Sequence, residues 1–416
     1  MDKKINKSKT ILIINKKNLK EHDYRGWIEE YIDSPELILF NADDQLDETQ
    51  RMRYDEIEVF NNWKSNRKID YRIKEIGRNK RIQAIIALSE CDIVRADNLR
   101  RYLQISNVTK DGMDAYRDKS MMKNILKAQG IPMPEFKVIK SVEDILSFSM
   151  KYGYPLVVKP LDMAGAVGIS IINNSTELDE YIYSIIQIRD EPCTFMVEQA
   201  NSGSMIIVDG LMKDGSILYS TVSSYLGNCL DCAKKLQPLG VVQEDYDNKL
   251  WNDSQQMAKK IIHAMPHVPY ISSFHLELFY TKGKLMFCEI AARTGGGRIN
   301  EIFEYKTGIN LEKCNVLGQC GVNQIDLKEI DNQYAYGFAL LPMQEGVIVS
   351  IPNECEVDGV LSYKKNAEKG MKTAENKKAS DCIAYVVFRG KNKDELTNIY
   401  NNILNWYNNN FLWERV

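Results

Sequence analysis

Three short apolar runs mark the first part of the chain: T-I-L-I-I-N near 10–15, E-L-I-L-F at 36–40 and Q-A-I-I-A-L at 83–88. Each is the length of a strand, and polar stretches of helical length separate them. Between Asp92 and Gln104, Ile93, Val94, Ala96, Leu99 and Leu103 recur at helical spacing. Strands alternating with helices predict a parallel α/β layer over the first hundred or so residues. No G-x-G-x-x-G follows the first strand, so the dinucleotide fingerprint is absent. This layer is expected to be a scaffold that contributes part of a substrate pocket.

A helix is predicted from about Asp118 to Gln129, with Gly130 in the usual stopping role and Lys119 in the first turn. Cations normally avoid that end of a helix, where the dipole is positive. The segment I-P-M-P-E-F then forces an extended path through its two prolines. Residues 134 to about 200 read as a compact βαβ-type unit. It holds E-F-K-V-I, a helix over Val142 to Lys151, P-L-V-V-K-P, I-S-I-I, and a last strand at Thr194 to Glu198. Within it, Lys159 ends a strand, and Ala164, Gly165, Ala166 and Gly168 form a small-residue loop whose N–H groups can approach phosphate closely. The G-x-x-x-x-G-K-[ST] pattern of the common phosphate loop is missing. A hairpin follows, M-I-I-V-D-G-L-M and K-D-G-S-I-L-Y, turned at Asp214-Gly215.

The densest chemistry lies between Phe274 and Asn300. F-H-L-E-L-F-Y, T-K-G-K and L-M-F-C-E-I-A predict a second hairpin. Alternation puts His275, Glu277 and Phe279 on one face, and Phe287 and Glu289 on one face of the return strand. The turn at Gly283 brings both carboxylates together, where they repel unless a cation intervenes, and hard oxygen ligands suit Mg²⁺. Arg293, then Gly295, Gly296 and Gly297, precede a helix expected near Ile299. A guanidinium beside bare amides at a helix start suits an anion. Metal, cation and anion hole in one run suggest phosphoryl chemistry; an edge hairpin with outward acids is the plain alternative.

Composition narrows the setting. A chain of 416 residues fits two or three domains, and 44% apolar content supports a real core. The net charge of −3 gives no general pull towards nucleic acid. The only apolar run near the start, Ile11 to Ile14, is too short for a signal-peptide core, and no segment reaches a membrane span. A cytoplasmic protein is expected. Nine scattered cysteines argue for reduced thiols, and the lone C-x-x-C at Cys229 and Cys232 lacks a second pair for zinc.

The order of these features resembles the ATP-grasp superfamily over about residues 114 to 310. They run as a lysine at a helix start, G-I-P-x-P, V-V-K-P with its loop, V-E before a hinge, Glu277, then Glu289-x-x-x-Arg293. The likeness is nearest to the carboxylate–amine ligase branch, which includes bacterial L-amino-acid (dipeptide) ligases and carnosine-synthase-like enzymes. More weakly, the runs at 334–343 and 381–396 look like the small C-terminal region of that branch.

The resemblance implies an α/β (α+β) chain. An N-terminal α/β domain covers 1–113, a linker helix and lid subdomain 114–200, a catalytic subdomain with an antiparallel sheet 201–320, and a C-terminal strand-and-helix region 321–416. It implies ATP with Mg²⁺, or Mn²⁺, as cofactors. Lys119 and Lys159 match the lysines that neutralise phosphates, and Gly165, Ala166 and Gly168 the lid loop. Glu198 matches the acceptor of the adenine amino group, and Ala200 the hinge whose backbone contacts the ring. Glu277 and Glu289 match the magnesium carboxylates, and Arg293 the arginine that steadies an acyl phosphate. The partners implied are small-molecule carboxylate and amine substrates, with no nucleic acid and no membrane; a homodimer is compatible.

Three departures stand out. Ala166 replaces a frequent serine, although its backbone amide remains. Gly203 to Met205 stands where a ribose-holding glutamate usually follows the hinge. The family's E-x-N-x-R is here E-I-A-A-R, and Ala291 cannot ligate a metal. That variant is seen in the peptide-ligase branch, so it reads as subfamily character, with an inactive homologue left open. Rival readings are another ATP-grasp enzyme, of glycinamide-ligase or biotin-carboxylase type, and a non-catalytic nucleotide-binding protein. His275 is expected to be structural, with substrate contact or base catalysis as its alternatives. The aperiodic segment Tyr225 to Leu250 is expected to line the substrate pocket.

Overall fold

The structure, a computed structural model, describes residues 9–42, 46–63, 66–161, 168–188, 195–227, 237–324, 333–374 and 382–414. The N-terminal layer runs β1 (Thr10–Asn15), α1 (Tyr24–Glu29), β2 (Glu36–Asn41), α2 (Glu48–Arg51), β3 (Glu56–Val59), α3 (Lys68–Asn79), β4 (Ile82–Ala87) and α4 (Ile93–Tyr102). Its four strands are all parallel in the order β3-β2-β1-β4. β1 is central and covered on both faces, so Ile11, Leu12, Ile13 and Ile14 are all buried. That is why its sequence is a continuous apolar run instead of an alternating one. β3 escaped the sequence pattern because E-I-E-V is a four-residue edge strand with half-buried side chains.

After α5 (Lys119–Ala128) comes the small unit: β5 (Phe136–Ile139), α6 (Val142–Tyr152), β6 (Leu156–Pro160), β7 (Ser170–Ile172), α7 (Ser175–Ile188) and β8 (Phe195–Gln199). Ser141 caps α6 in a reciprocal box with Asp144, which sets its start. The sheet order is β5-β8-β6-β7, and every neighbouring pair is antiparallel. The connection β5–α6–β6 is that of the expected βαβ-type unit. β8 has inserted between the two strands, so they do not pair directly.

The remaining elements are β9 (Ser204–Lys213), β10 (Ser216–Leu226), β11 (Leu239–Gln243), α8 (Lys249–Ala264), β12 (Ser272–Thr281), β13 (Lys284–Ala291), α9 (Ile299–Thr307), α10 (Leu311–Gln319), β14 (Ala335–Pro342), β15 (Gly346–Ser350), β16 (Val360–Lys365), β17 (Lys372–Thr373), β18 (Cys382–Gly390), α11 (Lys393–Asn410) and β19 (Leu412–Glu414). Eight of the strands form one antiparallel sheet, β13-β12-β9-β10-β11-β14-β18-β16. α5 and α8 bury Met122, Leu126, Ala258, Ile261 and Ile262 against one face, with Val208, Leu276 and Leu278. On the other face α9 and α10 bring Ile299, Ile302, Phe303 and Leu311 against Ile207, Leu211 and Phe338.

α10 also locks the N-terminal layer onto this sheet. Gln319 accepts from the Ala87 N–H (2.9 Å) and donates back to the Ala87 carbonyl (3.2 Å), which occupies the end of β4. Arg100, wholly buried, donates to the Ile85 carbonyl and to Gln319. Among the described residues no helix is long and apolar enough to cross a membrane.

Candidate active site

The β12–β13 hairpin is one edge of the large sheet. Its turn carries Lys282 and Gly283 with φ of 50° and 77°, the left-handed pair that a two-residue hairpin requires. Glu277 and Glu289 are register partners, so the two carboxylates stand directly across from one another. The register then shifts, and Leu278 pairs with Phe287, leaving Cys288 as the extra residue of a bulge. This corrects one expectation: Phe287 does not share a face with Glu289. It is fully buried in the same apolar cluster as Leu276, Leu278 and Ile290, a burial worth roughly 2–3 kcal/mol. Cys288 takes the place on the acid face, with Sγ 3.9 Å from Glu277 Oε2.

Each acid has a protein cation beside it. Lys119, the first residue of α5, places Nζ 3.1 Å from Glu289 Oε1. His275 Nε2 lies 3.4 Å from Glu277 Oε1, while Nδ1 is 2.8 Å from Asp209 Oδ1 on the adjacent β9. Burial alone would lower the His275 pKa, but Asp209 and Glu277 outweigh it and raise it to about 9. Both ring nitrogens are thus engaged by carboxylates, which favours the protonated ring. Burial pushes the Glu277 carboxyl up, yet His275, Arg293 and Lys159 hold it below its ordinary value.

A second cluster sits where α5 meets the small sheet. Lys159 Nζ is 2.5 Å from Glu198 Oε1, and Lys123 Nζ is 3.0 Å from Oε2. All three side chains are buried. Desolvation opposes ionisation of Glu198, but the two ammonium groups, Lys159 first, bring its pKa down to about 2. The Ala200 N–H donates to the Pro155 carbonyl (3.1 Å), which leaves its own carbonyl as the backbone group open to other contacts.

Arg293 is held by Glu90 through Nε and by the Thr294 carbonyl through Nη1 (2.9 Å). Glu90 follows β4 of the N-terminal layer and also pairs with Arg117 at 2.8 Å. Burial opposes its charge, and the two arginines hold its carboxyl below the usual range. α9 begins at Ile299, as predicted.

Gly168 has φ +76°. Gly165 and Ala166 lie outside the described residues, as do Cys229 and Cys232. Of the segment Tyr225 to Leu250, Gln243 to Tyr246 line a cleft of about 370 Å³ with Tyr219, Trp251 and Lys391; no predicted site residue lines it. Among the described residues no group of three or more His, Cys, Asp or Glu could hold a metal. Two facing carboxylates still fit Mg²⁺, which typically takes one or two carboxylates and completes its shell with phosphates and water.

Sequence reasoning missed Lys123, Asp209, Glu90 and Arg117. Lys123 follows Lys119 by one helical turn and so shares its face. Asp209 interrupts an apolar strand. Glu90 lies beyond the carboxyl end of a parallel strand, where ligands of open α/β sheets collect. Only Arg117 left no local signal.

Residues 124–296 match the family model of the ATP-grasp domain. The chain is 26% identical over 325 residues to an L-arginine-specific L-amino acid ligase of Bacillus subtilis, covering 76% of this chain and 77% of that one. Its fold is similar to the crystal structure of an L-amino acid ligase from Bacillus licheniformis, with a TM-score of 0.77 at 15% identity, over 99% of this chain and 100% of that one. It is also similar to a carboxyaminoimidazole ribonucleotide synthase from Aspergillus clavatus complexed with ATP, with a TM-score of 0.69 at 13% identity, over 97% and 99%.

Proposed function

We propose, from the match of residues 124–296 to the ATP-grasp family model, that this chain is an ATP-dependent carboxylate–amine ligase. It joins an amino acid or small carboxylate to an amino acid or amine through an acyl phosphate, and releases ADP and phosphate. The observation that carries this reading is the in-register facing of Glu277 and Glu289 with Lys119 and Lys159 close by. The similarity to an L-amino acid ligase over three-quarters of the chain supports the same class.

In this reading Lys119 and Lys159 take the charge of the phosphates, and the Glu198 carboxylate accepts from the adenine amino group. Glu277 and Glu289 would hold Mg²⁺, which supplies further neutralisation of phosphate charge when bound. Ala291 is buried and apolar, so it adds no ligand. A substrate carboxylate oxygen takes the γ-phosphoryl group as ADP leaves. The amine then displaces phosphate and loses a proton, which completes the amide. Arg293, fixed by Glu90 and the Thr294 carbonyl, and the Gly295–Gly297 amides hold the negative charge that builds on the tetrahedral centre. Positioning and electrostatics therefore supply the catalysis. The small unit within 114–200 acts as a lid that keeps water from the mixed anhydride. A catalytic unit over 201–320, a C-terminal region over 321–416, a cytoplasmic location and a homodimeric assembly belong to the same reading.

The test is a screen of amino-acid pairs with Mg-ATP, followed by ADP, phosphate and the condensed product by mass spectrometry. Product formed with ADP in equal amounts supports a ligase. Nucleotide binding without turnover by any pair would instead favour a non-catalytic homologue.

A further inference from the structure

Glu198 is a buried carboxylate with two ammonium partners, and the two are not equivalent. Lys159 ends β6, and its charge is also felt by Glu289 and Cys288, so it sits on the side of the paired acids. Lys123 lies within α5, with no solvent exposure, and the rings of Phe136 and Phe287 stand 5.5 and 5.7 Å from its ammonium. It is 3.0 Å from Glu198 Oε2, yet neither atom has a directed hydrogen bond.

A lysine removed from water with only an off-axis partner is an expensive way to fill space. Methionine would occupy the same apolar site between the rings without that desolvation. The charge count suggests what the lysine does there. Two cations and one anion leave the cluster with a surplus positive charge, so one cation can leave while the anion stays neutralised.

We propose that Lys123 is the holding partner of Glu198, the cation that keeps this buried carboxylate paired while Lys159 turns to the phosphates of a bound nucleotide. Lys123 is thus a positioning residue. It touches no substrate and acts by making Lys159 available. The inference rests on the reading of Lys159 as a phosphate ligand. Without Lys123, moving Lys159 would strand Glu198 as a lone buried anion, so Lys159 would stay on the carboxylate and phosphate would bind poorly.

Calorimetric titration of ADP and of adenosine, without metal, into four proteins tests this: the unaltered chain, Lys123→Met, Glu198→Gln and the double variant. Lys123→Met is expected to weaken ADP by about tenfold or more, the cost of an unpaired buried group. Adenosine, which has no phosphate, should bind Lys123→Met and the unaltered chain alike. The double variant should return to the ADP affinity of Glu198→Gln alone, because a neutral amide no longer detains Lys159. Should Lys123→Met fail to fold, Lys123→Gln is the second neutral variant, with the same expectation. The proposal is overturned by ADP affinity unchanged in the neutral variant, by equal weakening of ADP and adenosine, or by a double variant as weak as Lys123→Met. Absence of adenine-nucleotide binding by the unaltered chain would overturn the nucleotide reading itself.

Discussion

Glu277 and Glu289 face each other in register across β12 and β13, and each already has a protein cation, His275 at 3.4 Å and Lys119 at 3.1 Å. Their mutual repulsion is thus partly offset within the fold. The stability of the hairpin and its proposed chemistry can therefore be separated by experiment.

Glu289→Gln keeps the size of the side chain and removes one charge. Two effects oppose each other, lost repulsion with Glu277 and lost attraction to Lys119, so the melting temperature without ligand should move by only a few degrees, equivalent to about 1 kcal/mol. ADP release should fall by roughly a hundredfold or more, because a neutral amide would hold Mg²⁺ poorly and leave the phosphate charge less neutralised. A variant that unfolds would make Glu289 a structural residue.

Nucleotide choice tests Glu198. A carboxylate acceptor suits the adenine amino group and meets the guanine carbonyl unfavourably. An unpaired buried acceptor costs ~1–3 kcal/mol, so turnover with ATP should exceed that with GTP by about tenfold or more. Equal rates with the two nucleotides would remove Glu198 from the base pocket.

Gly168 carries φ +76°, and a Cβ built there would lie 2.9 Å from Pro160 Cγ. Gly168→Val is expected to lower the rate of ADP release by about tenfold or more, since a β-branched residue pays ~1–3 kcal/mol for that conformation. Hydrogen exchange at the Lys159 and Gly168 amides should slow when a non-hydrolysable ATP analogue and Mg²⁺ are added to the unaltered chain. Exchange that nucleotide leaves unchanged would argue against a lid.

Acid should loosen the junction between the N-terminal layer and α10. Glu312 in α10 pairs with Lys17 and His22, each at 2.8 Å. Burial opposes its charge, but those partners lower its pKa to about 2, against 4.5 for an ordinary glutamate. Its contribution is complete above about pH 4.5 and is lost as the pH falls towards 2, on the order of 2 kcal/mol. Urea unfolding at pH 7, 4 and 3 should show this loss, and Glu312→Gln should be less stable at pH 7 with a flatter acid profile. Parallel profiles for the two proteins would remove Glu312 from the account.

Much of the fold was legible because its signals are local. The buried strand β1 shows as an unbroken apolar run, α5 stops at a glycine, and the β12–β13 turn carries a glycine at a left-handed position. The turn also places Glu277 and Glu289 on neighbouring strands, but its register, carried through Leu278 and Phe287, would set Glu277 opposite Cys288; it is the bulge that brings Glu289 across from Glu277. The bulge at Cys288 did not show, because one extra residue leaves the apolar pattern intact while reversing the face on which Phe287 lies.

By itself, the sequence determined the strongly patterned strands and helices such as β1 and α5, the hairpin that carries Glu277 and Glu289, and the order of lysines, acids and arginine that resembles an ATP-grasp chain. Only the tertiary structure decided which charges meet. Lys119 reaches Glu289 across 170 residues of chain, Glu90 reaches Arg293 across 203, and Lys123 reaches Glu198 across 75. Periodicity reports which face of an element is buried, but an ion pair between distant elements depends on how those faces pack. Coulomb energy falls with distance, and its strength is set by how much water the packing removes.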